Sequence, residues 1–125
     1  QMPFPSIRLL AERDVRLFTG SDSVRDTWSP LNSGDMLERA FLLAYCSGFR
    51  DDAGLELALH MATHGGADVM GVEDYGLVAG SAADLVLVQA ETAAETVACH
   101  PVRRWVVKCV RIVARDGQSL LLPLR

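Results

Sequence analysis

The sequence predicts a mixed α/β chain built from two unlike parts. Three observations carry that expectation. The chain opens on a short helix joined by a tight link to a β-branched strand. Two strongly amphipathic helices fill the middle. From Tyr75 onward the helical period gives way to short apolar runs between glycines and polar turns, which is the pattern of strands.

Size and charge narrow the field. A chain of 125 residues, half of them hydrophobic, can bury one sizeable core. Twelve Lys and Arg against 16 Asp and Glu give a net charge of -4, and no basic patch dominates, which argues against a nucleic-acid partner. The pair Arg103-Arg104 reads as a solvated strand edge rather than a phosphate site. No apolar run reaches the ~18 residues needed to span a bilayer, so no membrane partner is expected. The first residues lack the basic and apolar regions of a signal peptide. Three widely spaced cysteines, Cys46, Cys99 and Cys109, form neither a disulfide framework nor a Cys-x-x-Cys clip. The simplest account is reduced cytoplasmic thiols, with Cys46 packed in a helix.

Taken in order, Pro3 and Pro5 precede a helix over residues 6–13, with Ser6 as its N-cap and Ile7, Leu10 and Ala11 on one face. A strand over residues 15–18 follows at once. Helix, tight link and short strand is the rhythm of a β/α barrel wall. Gly20 breaks the strand, and a polar loop carries Asp22, Ser23, Asp26 and Trp28. Asp35 with Glu38 three residues later approximates a capping box for a helix over residues 36–47. Leu37, Ala40, Phe41, Ala44 and Tyr45 share a face of that helix, Met36 and Leu43 widen it, and Gly48 stops it. A second helix spans residues 53–64, its apolar face centred on Leu55, Leu59 and Ala62 and broadened by Leu57, Ala58 and Met61. Gly65-Gly66 is expected to end it, with one further turn over residues 67–70. Residues 75–80 form a glycine-punctuated loop. Residues 84–88, Asp-Leu-Val-Leu-Val, read as a strand buried on both faces. A short helix over residues 92–99 has Thr92 at its N-cap and Glu95 at N3, and Pro101 ends it. Residues 105–108 and 111–114 have hairpin spacing, Asp116-Gly117 is a further turn signal, and residues 119–122 could add a last strand. A boundary between the parts is placed at residues 71–75, giving segments 1–72 and 73–125.

The stretch LFTGSDSVRDTWSP, continued by NSGDMLERAFLLAYCSG, resembles the end of the catalytic barrel in the amidohydrolase superfamily, in its cytosine deaminase-like branch. The later EDYGLVAGSAADLVLV adds to the resemblance. It implies an α/β fold that is the C-terminal part of a metal-dependent-hydrolase (β/α)8 barrel, with residues 15–18 as the eighth strand. The strands after residue 73 would belong to a small composite β-sandwich. A complete barrel takes about 250 residues; the resemblance therefore implies a C-terminal piece of a larger enzyme.

The candidate chemistry sits on the first loop. In the resembled family a Gly-x-Asp after the eighth strand supplies the last metal ligand, which here is Asp22. By that resemblance Asp22 is both the metal ligand and the catalytic carboxylate in a hydrolytic deamination, which takes a proton from a metal-bound water and passes it to the departing amine. The bland alternative is that Asp22 caps a turn. Ser23 stands where some relatives carry an acidic or amide residue facing the substrate. Trp28 offers a flat stacking surface for a heterocycle, or anchors the loop on the barrel rim. Arg25 and Asp26 read as loop pairing or capping residues. The resemblance implies a divalent metal, zinc or iron, with most ligands outside this chain. It also implies a small heterocyclic substrate, and as partner either the rest of the barrel or a second copy. A catalytic zinc takes three protein ligands and this chain offers one, so the chain alone is expected to be inactive. His60 and His64 are spaced i, i+4 as metal ligands can be, but no acidic residue follows His60 and a structural role near a helix end is favoured. His100 reads as a loop residue. Cys109-Val110 lacks the glycine usual at that hairpin, which implies a longer, tighter or strained turn. The rival reading from another class is a non-catalytic α/β domain kept for association or regulation.

Overall fold

The computed structural model describes residues 4–121, so Pro3 and the end of the last expected strand, Leu122, lie outside the described residues. The order of elements is α1 (Ile7–Ala11), α2 (Met36–Ser47), α3 (Asp52–Ala62), α4 (His64–Met70), β1 (Leu85–Val88), α5 (Ala93–Cys99), β2 (Arg103–Lys108), β3 (Arg111–Arg115) and β4 (Gln118–Ser119). The four strands form one antiparallel sheet in the order β1-β2-β3-β4. The chain is thus mixed α/β, a helical layer beside a small sheet.

Capping chemistry explains where the helices begin. Asp35 accepts hydrogen bonds from the N–H groups of Leu37 and Glu38, and α2 runs over the expected residues. Glu38 does not close the capping box; it takes the Ser33 hydroxyl instead. Gly48 ends α2 at φ 69°, a left-handed value that costs glycine little. Asp51 caps α3 through the Gly54 N–H, and Thr92 caps α5 through the Glu95 N–H. Glu95 reaches back to the Glu91 N–H, so the helix start at Thr92 is tied down from both sides.

The core forms where α2, α3 and α5 meet. Ala40, Ala44, Ala58 and Val97 are at most 2% exposed. Small side chains at Ala40, Ala44 and Ala58 let the helices approach closely, bare Gly54 makes room for Phe49, and Leu37, Leu43 and Met61 complete the cluster. The buried face of α3 is therefore centred on Gly54, Ala58 and Met61, rotated from the expected face; Leu55, Leu59 and Ala62 pack at its margin. Asp35 links the layers: besides capping α2 it pairs with Arg103 of β2, Oδ2 lying 2.6 Å from the guanidinium.

Four expectations are corrected. Residues 15–18 form no strand, because no described residue closes a ladder with them. Their surroundings are a helix stop, with the Val15 N–H on the Leu10 carbonyl and Asp14 at φ 55°. Val15 and Phe18 are about half exposed. The strand β1 is not buried on both faces: it is an edge strand, and Leu85, Val86 and Leu87 face solvent because no described element covers them. Gly65-Gly66 does not end a helix. The break falls at Thr63 (φ -127°, ψ -93°), and α4 runs through both glycines. Cys46 is exposed rather than packed, and all three thiols are free. The Cys109-Val110 turn is two residues long, with both at positive φ.

Candidate functional site

The loop that carries Asp22 is built from the backbone outward. The Thr19 N–H donates to the Met61 carbonyl in the last turn of α3, at 3.0 Å. Four residues on, the Ser23 N–H donates to the Ser21 carbonyl at 2.7 Å, with Asp22 between them at φ 63°. This is a γ-turn of the rare positive-φ kind, strained for any residue with a side chain. Aspartate tolerates the left-handed region better than most residues. Strain of this sort persists only where the surroundings hold it. Here they do so on both sides. Beyond Asp22, the Asn32 side-chain amide donates to the Ser23 hydroxyl at 2.7 Å, and Arg39 of α2 donates to the Asn32 side-chain Oδ1 at 2.8 Å. The chain from Arg39 through Asn32 to Ser23 ties the loop to the helical layer.

Asp22 is exposed, and among the described residues no hydrogen bond or ion pair engages its carboxylate. Ser23 is half-buried and held as above. Trp28 is 91% exposed, its indole standing clear of the loop while its N–H backbone bonds Asp26. Asp26 is the loop's capping residue, as expected. Its carboxylate accepts the N–H groups of Ser29 and Trp28, which hold its carboxyl below the usual carboxylate range.

The other candidates lie elsewhere. The rings of His60 and His64 stack in parallel at 5.7 Å, and His64 meets Tyr75 edge-on at 5.1 Å. They line an open groove of about 720 Å³ between α3 and the sheet, together with Leu37, Leu85, Val86 and Arg103. Sequence reasoning did not find this groove, because its walls come from elements far apart in the chain. Asp22, Ser23 and Trp28 do not line it. His100 is more than a loop residue: it caps α5 at φ 47°, and its ring packs edge-on against Phe41 at 4.3 Å. Arg103 and Arg104 are paired with Asp35 and Asp116, so neither is free for a phosphate.

A divalent metal needs several converging donors. Among the described residues no group of three or more His, Cys, Asp or Glu side chains could hold one. The Asp22 carboxylate is a suitable hard donor, but it is one ligand, so the described residues of this chain do not by themselves hold a catalytic metal.

The model of the amidohydrolase family matches residues 2–120. The chain is 34% identical to N-isopropylammelide isopropyl amidohydrolase of Pseudomonas sp. (strain ADP) over 90% of its length. It is 49% identical to N-isopropylammelide isopropylaminohydrolase from Burkholderia multivorans ATCC 17616, whose crystal structure it matches with a TM-score of 0.90 over 95% of this chain. The 5-methylcytosine deaminase from Klebsiella pneumoniae, liganded with phosphonocytosine, shares the fold over 94% of this chain at a TM-score of 0.80 and 21% identity. The chain spans 28% of the Pseudomonas relative, 30% of the Burkholderia structure and 29% of the Klebsiella one.

Proposed function

Because the chain belongs to the amidohydrolase family, we propose that it is the C-terminal part of a metal-dependent enzyme that hydrolyses a C–N bond of a small nitrogen heterocycle, a deamination of the kind cytosine undergoes. Residues 1–72 belong in this reading to the end of the catalytic barrel, with residues 15–18 gaining their strand partners from the rest of it. Residues 73–125 contribute to a composite β-sandwich. The enzyme works in the cytoplasm on a free heterocycle, with its thiols reduced.

The observation that carries the proposal is the placement of Asp22. A carboxylate is held in a strained turn, anchored on both sides, and left without an internal partner. Ordinary turn-capping engages the carboxylate with nearby N–H groups, as Asp26 does. Asp22 does not act in that way within the described residues. In the complete enzyme it contributes one oxygen donor to a zinc or iron ion whose other ligands lie outside this chain. A metal held there would supply a water of lowered pKa, and Asp22 would be the group placed to take that water's proton and pass it to the leaving amine. Ser23 borders the substrate as an uncharged hydrogen-bonding group, and Trp28 offers it a stacking face.

The rival reading, a non-catalytic domain for association or regulation, is separated by one substitution in the complete enzyme. Asp22→Asn keeps the turn, since asparagine tolerates the same φ. It is expected to lower kcat at least a hundredfold with the thermal midpoint retained. Unchanged turnover would favour the rival.

A further inference from the structure

Resting on that reading of Asp22, we propose that the junction of α3 and α4 is the seat that positions it, and that Gly65 is the positioning residue. Helix α3 ends with carbonyls that no helical N–H satisfies. Thr63 takes two of them: its hydroxyl donates to the Leu59 carbonyl at 2.8 Å and its N–H to the His60 carbonyl at 3.1 Å. The Met61 carbonyl is taken from outside the helix, by the Thr19 N–H. The segment that leads into Asp22 thus completes the end of α3.

That bond requires close approach, and Gly65 permits it. Gly65 is buried, and a Cβ placed on it would lie 2.2 Å from the Leu17 carbonyl oxygen, a backbone atom that cannot rotate aside. Its neighbour Gly66 has nothing within 4 Å of the same position. Gly65 has no left-handed φ to justify a glycine, so its requirement is space alone. Leu17, Thr19 and Asp22 lie along one short run of backbone. A displacement at Gly65 therefore moves the carboxylate, and catalytic groups lose rate steeply when misplaced by about an ångström.

The test uses hydrogen exchange and kinetics together. In the 125-residue chain, Gly65→Ala lowers protection of the Thr19 amide about tenfold, the loss of one hydrogen bond. The Ala44 amide in α2 keeps its protection, and Gly66→Ala changes neither. Unchanged Thr19 protection in Gly65→Ala overturns the seat, and so does an equal loss at Ala44, which would make Gly65 a core residue only. Thr19→Pro deletes the donor without adding bulk at Gly65. It is expected to shift the Asp22 amide resonance, and an unmoved resonance overturns the proposal. In the complete enzyme Gly65→Ala lowers kcat about tenfold at unchanged KM; an unchanged kcat overturns the link to Asp22. If Asp22→Asn proves indifferent while Thr19 loses protection in Gly65→Ala, the proposed function falls and the seat stands.

Discussion

Asp84 shows how a single carboxylate joins distant parts of this fold. It lies just before β1, pairs with Lys108 at the end of β2, and accepts the Cys109 N–H at 2.8 Å. The Lys108 ammonium and then the Cys109 N–H hold its carboxyl below the usual carboxylate range, and Asp84 raises Lys108 in return. A lowered folded pKa means that Asp84 stabilises the fold above its ordinary pKa of about 4, and that this contribution is lost as pH falls through the lowered value. The raised Lys108 contributes below its ordinary pKa and fades as pH rises through its folded value. Urea denaturation between pH 6 and pH 2 is expected to show a steeper acid-side fall in the natural chain than in Asp84→Asn. Equal slopes would show that the pair is idle. Moderate salt should shrink the difference, since Lys108 is mostly exposed. Such residue-scale effects were only partly legible in the sequence. The capping role of Asp26 followed from its neighbours within three positions, whereas the Asp84–Lys108 pair spans 24 positions and depends on β1 and β2 being paired.

At the scale of elements, the hairpin between β2 and β3 carries an avoidable cost. Its two turn residues, Cys109 and Val110, have φ values of 48° and 65°. A two-residue turn of this hand suits the twist of the strands but asks for Asn or Gly, and a β-branched residue there is strained. Val110 is 81% exposed, so its side chain contributes little packing in return. Val110→Gly is expected to stabilise the chain by about 0.5–1 kcal/mol, read as a raised urea midpoint at unchanged m-value. A lowered midpoint would show that the valine is held by contacts the complete protein makes. The missing glycine was visible in the sequence, which allowed a strained turn as one outcome. The helix starts at Asp35 and Thr92 were visible too, because a cap is a contact between residues two or three apart. The break at Thr63 was not, since nothing local distinguishes it from a helix that continues to the glycines.

On the scale of the whole molecule, the chain exposes more surface than its mass predicts. A compact monomer of 13.6 kDa exposes about 6,600 Å²; this chain exposes 9577 Å². The excess is apolar in large part: Phe18, Leu77, Val86 and Leu87 all stand more than half exposed. An excess of roughly 3,000 Å² exceeds what one partner contributes to a standard interface, about 800 Å². It accords with a chain that spans 28% of the Pseudomonas relative and 30% of the Burkholderia structure. The proposed role of Asp22 as one ligand among several belongs to the same picture. Calorimetric titration of the isolated chain with zinc is expected to show no tight stoichiometric uptake, and no deaminase turnover should follow. Tight stoichiometric binding with turnover would overturn the reading that the other ligands come from elsewhere.

The mixed α/β class, the family, the bounds of α2 and the loop on which Asp22 sits could all be read from the order of residues. Those features depend on side chains acting within a few positions of themselves, or on a motif read as a string. It took the folded chain to reveal that the Thr19 N–H reaches the Met61 carbonyl, that Gly65 must be bare for Leu17 to approach, that Arg39 steadies Ser23 through Asn32, and that β1 is an open edge. Each of these depends on which distant backbone lies within bonding distance or which layer covers a face, and no local pattern encodes that.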